Sequence, residues 1–310
     1  MFFVTFAAPL YATTPSTSSD PDKTSPEDPY RREQFEIEGA GFLKVSTLNG
    51  DISVQEMPYL DKVIVELYVD RGFAIWSGSK NLDNYRIIMM QRGNEIIASV
   101  EPKSGDSNLF SDKMKFTFKV YVPEKMSTKL KTSGGNILIS GITGKHELKT
   151  SGGAIIASDI DGKINAFTAG GNIDITYARG TIFAQTEGGN ITIEKSEGEL
   201  RLKVNGGQIV ATRISGSMLA QVAGGDIKAG FVNITQGMRL STSYGNIEVS
   251  LPENLGYDLD LTGLNIFIPS SESFTGSNTP NRVIGKLSGG GTPINLKSDA
   301  GEITLMVDDK

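Results

Sequence analysis

The sequence predicts an all-β fold, a single-stranded right-handed parallel β-helix (solenoid) with 18-residue coils and irregular N-terminal and C-terminal coils. Three observations lead to this prediction. Glycine pairs recur every eighteen residues, a second glycine series keeps the same step, and apolar residues alternate with polar ones after each pair. A fixed period of this length is typical of solenoids, in which one short unit is repeated and stacked.

The two glycine series mark two bends in each repeat. The first members of the pairs are Gly134, Gly152, Gly170, Gly188, Gly206 and Gly224. The second series is Gly144, Gly162, Gly180, Gly198 and Gly216. Glycine suits a bend that needs a positive φ or a close approach of two coils, where a Cβ costs about 1–2 kcal/mol. We therefore interpret both series as structural bends.

The residues between the bends alternate as strands with one buried face do. One inward column is isoleucine throughout: Ile137, Ile155, Ile173, Ile191, Ile209, Ile227 and Ile247. A second inward column holds His146, Ile164, Ile182, Leu200, Met218 and Met238. One repeat cannot bury its own apolar face, so the copies must stack in parallel about 4.8 Å apart around a continuous core. The period alone does not fix the hand of the coil.

Side-chain amides follow most of the glycine pairs. They are Asn136, Asn172, Asn190 and Asn246, and Ala154, Gln208 and Asp226 occupy the same place in other repeats. Amides at one position of stacked strands can bond to one another along the stacking axis. We interpret this column as structural too.

Composition divides the chain into three parts. The apolar residues 1–12 predict a secretory signal peptide; the usual positive segment is missing, which leaves open that the chain starts inside a longer signal. Residues 13–33 are rich in Pro, Ser, Thr and Asp and predict a disordered linker. Residues 34–310 are expected to form one β-helix domain, divided into irregular coils or a cap (34–128), regular repeats (129–251) and C-terminal coils with a loop (252–310).

The irregular ends follow the same columns less strictly. Around Gly50 and around Gly301, apolar residues occupy the inward positions of an early and of a closing coil. Trp76 lies in the irregular N-terminal part, where we expect a role in a cap over the start of the helix. The charged tail, Asp308 to Lys310, is expected to blunt the last strand edge.

Composition also excludes several functions. The net charge is -6, acids and bases are mixed along the chain, and no basic block or aromatic-basic interleaving indicates nucleic acid. The absence of cysteine excludes disulfides and thiolate zinc sites, and no apolar run is long enough to span a bilayer. His146, the single histidine, is expected to be a partly covered residue at the end of the core, which excludes a Ser/His/Asp triad. No catalytic residue, cofactor or metal ion is predicted.

Two groups of residues are candidates for function. Outward aromatic side chains could stack on sugars or contact a partner, unless a loop or the N-terminal segment covers them; they are Phe167, Phe183, Tyr177 and Phe231. Charged residues near one bend could serve a calcium-dependent lyase, or they could simply form surface ion pairs; they are Asp159, Asp161, Arg179, Lys195 and Glu197.

Four segments carry a family resemblance: LKVSTLNGDISV, KVYVPEKM, the tandem SGGNI coils and GGGTPINLKSDAGEITL. They resemble a bacterial family of adhesin-like domains, mostly of undefined function, over about residues 35–310. The resemblance implies a secreted or surface-exposed parallel β-helix with pectate-lyase-like topology, and fold by itself does not imply function.

From these observations we expect an exported, non-catalytic, adhesin-like binding or structural protein. It would be located in the periplasm, on the outer surface or outside the cell, and its partner would be a glycan or a surface protein. Two alternatives stay open: a lyase-like enzyme acting on polysaccharide, and an interaction module in an envelope-stress or regulatory system.

Overall fold

A computed structural model describes residues 28–70, 82–103, 114–269 and 273–308. These residues form 23 strands and one 3-10 helix, Leu82–Asn84. The strands build a parallel β-helix, as the sequence predicted. The predicted signal peptide, linker residues 13–27 and Trp76 lie outside the described residues.

Each regular coil contains a first strand, a bend and a second strand, and it returns through the glycine pair. Some coils are split into β8 (Met126–Lys131), β9 (Ile137–Ser140), β10 (Thr143–Thr150), β13 (Ile191–Glu194), β14 (Glu197–Gly206) and β17 (Ile247–Pro252). Four strands continue around the bend: β11 (Ile155–Thr168), β12 (Ile173–Thr186), β15 (Ile209–Gly224) and β16 (Ile227–Tyr244). First strands therefore stack into one wall of the helix and second strands into the other.

Equivalent residues of successive coils lie directly over one another. Ile155 pairs in parallel with Ile173, and Ile164 with Ile182. Every member of the predicted isoleucine column is at most 1% exposed, which confirms that the column faces the core. A fully buried isoleucine stabilises the fold by roughly 1.5–3 kcal/mol, so this column is a major source of stability.

Close approach explains the second glycine of each pair rather than the first. A Cβ built on Gly171 would lie 1.9 Å from the carbonyl oxygen of Gly153 in the coil below. A Cβ on Gly170, the first glycine of that pair, would meet nothing nearer than 3.6 Å, and its φ is not positive. At the other bend, Gly162 combines a φ of 124° with an equally close carbonyl. The first glycines do lie at bends, but neither of the two predicted reasons applies to Gly170.

A ladder of buried threonine hydroxyls joins the coils at the glycine pairs. Thr168 Oγ1 donates to the carbonyl of Gly153 at 2.8 Å and accepts from the backbone N–H of Gly171 at 3.2 Å. Thr132, Thr150 and Thr186 make the same two bonds. Val204 and Val222 occupy the same column without a hydroxyl, so a valine fits the space. These hydroxyls satisfy backbone groups that would otherwise be buried without a partner.

The amide column bonds differently from the prediction. Asn136 Oδ1 accepts from the backbone N–H of Ala154 at 2.8 Å, and Asn172 Oδ1 accepts from that of Asn190 at 3.0 Å. The ladder is therefore side chain to backbone, because the next coil presents its N–H directly above the amide oxygen. Ala154 has no acceptor, so its coil contributes no such bond.

The first coil of the chain is not at the end of the helix. It consists of β2 (Gly41–Ser46) and β3 (Ile52–Glu56), which pair with β8 and β9 on one side. On the other side they pair with a coil that follows later in sequence, β6 (Glu95–Pro102) and β7 (Lys115–Val122). Antiparallel strands then cover this outer coil: β5 (Tyr85–Arg92) on β6, β4 (Lys62–Asp70) on β7, and β1 (Arg31–Glu36) on β4.

At the C-terminal end too, the coils do not stack in the order of the sequence. The terminal coil, β22 (Thr292–Ser298) and β23 (Ile303–Asp308), lies between β16–β17 and an earlier coil, β18 (Tyr257–Thr262) and β19 (Ile266–Phe267). Two antiparallel strands extend the sheet beyond β18: β21 (Arg282–Leu287) and β20 (Phe274–Thr279). Asp309 and Lys310 lie outside the described residues, so the role of the tail stays a prediction.

Replacing Thr168 by valine removes one rung of the threonine ladder without changing its shape. Because the carbonyl of Gly153 and the N–H of Gly171 then lose their shared partner, we expect Thr168→Val to lower the free energy of unfolding by about 1–3 kcal/mol. Urea denaturation of both proteins measures this difference. Thr181→Val, on the outer surface of the next strand, β12, is the matched control; equal midpoints for the two variants would contradict the assignment.

The stacking order of the C-terminal coils can be tested by cysteine cross-linking, since the chain contains no cysteine. Arg239 and Asn295 are in-register neighbours on β16 and β22, so the pair R239C/N295C should form a disulfide under mild oxidation. Arg239 and Asp260 would be neighbours only if the coils followed chain order; here they are two strands, about 9–10 Å, apart. Rapid cross-linking of R239C/D260C would show that the coils stack in sequence order.

Candidate binding face

The second strands form a continuous surface along one side of the helix. We call the outward side chains of β2, β8, β10, β14, β18, β22 and the second halves of β11, β12, β15 and β16 the second-strand face. One of its columns runs in register through Asn165, Phe183, Arg201, Leu219 and Arg239. Each strand is hydrogen-bonded to the next, so the spacing of these side chains is fixed by the backbone.

Two of the predicted aromatic residues lie on this face. Phe183 is 39% exposed and lines a shallow groove with Lys163, Asn165 and Arg201. Phe167, one coil earlier and one column away, is half-buried, and the Nζ of Lys149 lies 5.2 Å from the centre of its ring. Phe183 is therefore open to a partner as far as the described residues show.

Tyr177 and Phe231 do not join them. Tyr177 lies at the bend between the two walls, where it is 53% exposed and has a φ of 54°. The expectation that Phe231 is an outward residue is wrong, because only 6% of it is exposed. Between Ala229 and Phe231 this coil has one residue fewer than the coil below, so Phe231 pairs with the inward Ile214 instead of Arg213.

The charged bend residues do come together. Asp159, Asp161, Arg179, Lys195 and Glu197 line one groove at the bend. Arg179 and Glu197 form an ion pair of 3.7 Å, which confirms the surface-pair interpretation for these two residues. The Nζ of Lys195 donates to the Tyr177 hydroxyl at 3.1 Å, and this bond, with smaller effects of Glu194, raises the pKa of Lys195. A lysine held protonated in this way is a poor general base.

Carboxylates are not gathered into a metal site in the described part of the chain. No group of three or more His, Asp or Glu side chains is close enough there to hold a metal ion. The lyase alternative requires such a group for calcium. Nor does any helix among those residues have the length and apolarity to cross a membrane.

His146 is buried more deeply than predicted, at 2% exposure. It is not at the end of the core, because the strands β8, β2 and β6 all stack beyond it. Its Nδ1 lies 3.1 Å from Thr128 Oγ1, and its Nε2 has no hydrogen-bond partner. Burial lowers the pKa of His146 to about 4.

Lysines are concentrated at one end of the second-strand face, and the sequence analysis missed them. We call this group the lysine patch: Lys44, Lys129, Lys131, Lys145, Lys149 and Lys163. All six are exposed, and they come from four adjacent strands, β2, β8, β10 and β11. The patch could have been found by aligning the repeats and comparing their outward positions. The order of charges along the chain shows only a mixture of signs.

The stacked coils and the open second-strand face define the class of protein, a parallel β-helix that displays side chains in rows along its length. The chain belongs to the Toastrack DUF4097 family, whose model matches residues 73–306. This match confirms the family resemblance seen in the sequence.

Two solved structures are similar over most of the chain at low identity. One is a candidate adhesin from Bacteroides fragilis, with 13% identity and a TM-score of 0.41, over 89% of this chain and 96% of that one. The other is a candidate cell adhesion protein from Clostridium sporogenes, with 11% identity and a TM-score of 0.20, over 90% and 99% of the two chains. No curated protein matches this chain.

Replacing His146 by leucine should make the fold less sensitive to acid. The folded-state pKa of about 4 lies below the ordinary 6.5, so stability is complete above pH 6.5 and falls as the pH drops towards 4. Once the pH is below 4, the free energy of unfolding is lower by about 3 kcal/mol through this histidine. Denaturation at pH 7 and pH 4.5 should show a smaller loss for His146→Leu than for the wild type. Since carboxylates titrate equally in both proteins, identical losses would contradict the assignment to His146.

Proposed function

We propose that this protein is an exported, non-catalytic, adhesin-like binding protein whose rigid second-strand face contacts a surface glycan. The observation that carries the proposal is the exposed Phe183 in a shallow groove on a wall whose backbone is fully paired. An aromatic ring held open on a rigid sheet offers apolar contact at little entropic cost. Export is supported by the apolar residues 1–12, which have the pattern of a secretory signal.

The absence of catalysis is part of the proposal and rests on chemistry at the bend groove. One of the two cations there, Lys195, has a raised pKa and is hydrogen-bonded to Tyr177. Arg179 is engaged with Glu197. A lyase would instead need a base that loses its proton near neutral pH. The geometry therefore favours binding over turnover.

The groove on the second-strand face continues towards the C-terminal end. Beyond Phe183 and Arg201, a second hollow is lined by Glu199, Leu219 and Arg239, together with Pro293 of the terminal coil. Glu199 lines both hollows, so they share a border. A partner with several repeating units could therefore contact more than one coil. Several weak contacts of this kind would together give a higher affinity.

Removal of the Phe183 ring should weaken glycan binding. We expect Phe183→Ala to bind immobilised glycans on an array about five- to tenfold more weakly than the wild type, through loss of the ring contact. Leu138→Ala is the matched control, because Leu138 is similarly exposed, at 37%, on the opposite wall.

Two results of this experiment would overturn the proposal. One is loss of glycan mass or appearance of unsaturated sugar ends during incubation, which would indicate a lyase. The other is unchanged binding of Phe183→Ala, or an equal loss in both variants. Specific recovery of a membrane sensor protein together with an array that stays blank would favour the regulatory alternative.

A further inference from the structure

We propose that the lysine patch is the binding site for an acidic polysaccharide, a linear glycan that carries carboxylates. This inference rests on the proposed function and names the ligand class that the second-strand face recognises.

The patch concentrates positive charge on a chain whose net charge is -6. Its six lysines occupy three columns on four consecutive strands, an area of about 14 Å by 13 Å. Asp159 and Asp161 of β11 lie at the bend; within residues 42–46, 127–131, 145–149 and 163–167, which form the patch, the one outward carboxylate is Glu147. Lys129 bonds to it at 2.8 Å, and no described carboxylate forms an ion pair with the other five lysines. Five ammonium groups are thus free to bind an anion.

The stacking of the lysines is electrostatically unfavourable. Three in-register pairs of neighbours are lysine on lysine: Lys44 with Lys129, Lys131 with Lys149, and Lys145 with Lys163. Like charges directly opposite each other destabilise a sheet. Elsewhere in the fold, in-register charged neighbours are opposite in sign: Arg179 with Glu197, Lys228 with Glu248, and Lys119 with Glu66. A patch that costs stability is a mark of a functional site.

The neighbouring side chains suit a sugar chain. Ser127 and Asn165 place a hydroxyl and an amide among the lysines, where they can bond to sugar hydroxyls. Phe42, 36% exposed, and the half-buried Phe167 lie within the same strands and offer apolar surface. Carboxylates would meet the ammonium groups, while ring faces and hydroxyls would meet the remaining side chains.

The geometry favours a polysaccharide over other polyanions. The patch contains lysine and no arginine, whereas nucleic-acid phosphates and guanine edges are typically read by the two-pronged arginine side chain. Lys163 belongs both to the patch and to the groove with Phe183 and Arg201, so a flexible linear ligand can continue from the patch along the axis. A flat bilayer surface could not follow this groove.

The test is binding of the full chain to polygalacturonate, with dextran as the neutral control, over a series of salt concentrations. The variant K131Q/K149Q removes one lysine-on-lysine pair and should bind polygalacturonate about tenfold more weakly and with a shallower salt dependence. K119Q/K228Q changes the net charge equally on the other wall and should bind like the wild type. Because repulsion is relieved, K131Q/K149Q should unfold at the same or a higher urea concentration than the wild type, which separates lost binding from lost folding.

Several outcomes would overturn the inference. Binding that is independent of salt, or equally weakened in both double variants, would remove the role of the patch. Stronger binding to duplex DNA or to phosphatidylglycerol vesicles than to polygalacturonate would assign the patch to another polyanion. Binding to neutral glycans that depends on Phe183 but not on Lys131 and Lys149 would leave the proposed function standing and reject only the acidic ligand. If no glycan binds at all, both proposals fall.

Discussion

In-register parallel stacking of the coils is the constraint on which the other features depend. Every coil must present the same backbone edge at the same height, because its N–H and C=O groups bond to the coil on each side. Isoleucine then meets isoleucine in the core, and no Cβ fits at Gly171, where two coils approach most closely. The Thr168 hydroxyl and the Asn172 amide satisfy backbone groups at the bends where strand pairing stops. Core, bends and polar ladders therefore follow from one spacing.

The same constraint creates a problem at the two ends, where a coil would expose an unpaired edge. At the N-terminal end of the helix, segments that come later in the sequence stack outside the first coil. At the C-terminal end, an earlier segment stacks outside the last coil of the sequence. The coil β2–β3 is thus covered by β6–β7, and β22 is enclosed by β16 and β18. These contacts join residues far apart in sequence, such as Ile52 and Phe118, so each end closes only when both segments have formed. Antiparallel strands then extend both ends beyond the regular coils.

Stacking also decides what the surface can do. A residue type that recurs at one position becomes a row of side chains about 4.8 Å apart, whatever the sequence places between the repeats. This arrangement turns lysines dispersed between residues 44 and 163 into one patch, and it brings Phe183 and Arg201 into one groove. It also gathers the charged bend residues around Arg179, where ion pairing dominates. The lysine patch differs because five of its six lysines lack such partners among the described residues, and this difference supports a binding role.

The sequence by itself determined the coil, its bends and its inward columns, because alternation and period are local properties. It therefore predicted the burial of Ile173 and the inward direction of His146. Tertiary structure alone decided which coil lies beside which, since all coils present equivalent edges and the period does not distinguish among them. For this reason the depth of His146 and the enclosed position of β22 could not be read from the repeats. Phe231 was misplaced because its coil has one residue fewer before this position, which shifts the register, and the lysine patch was missed because it exists only across coils.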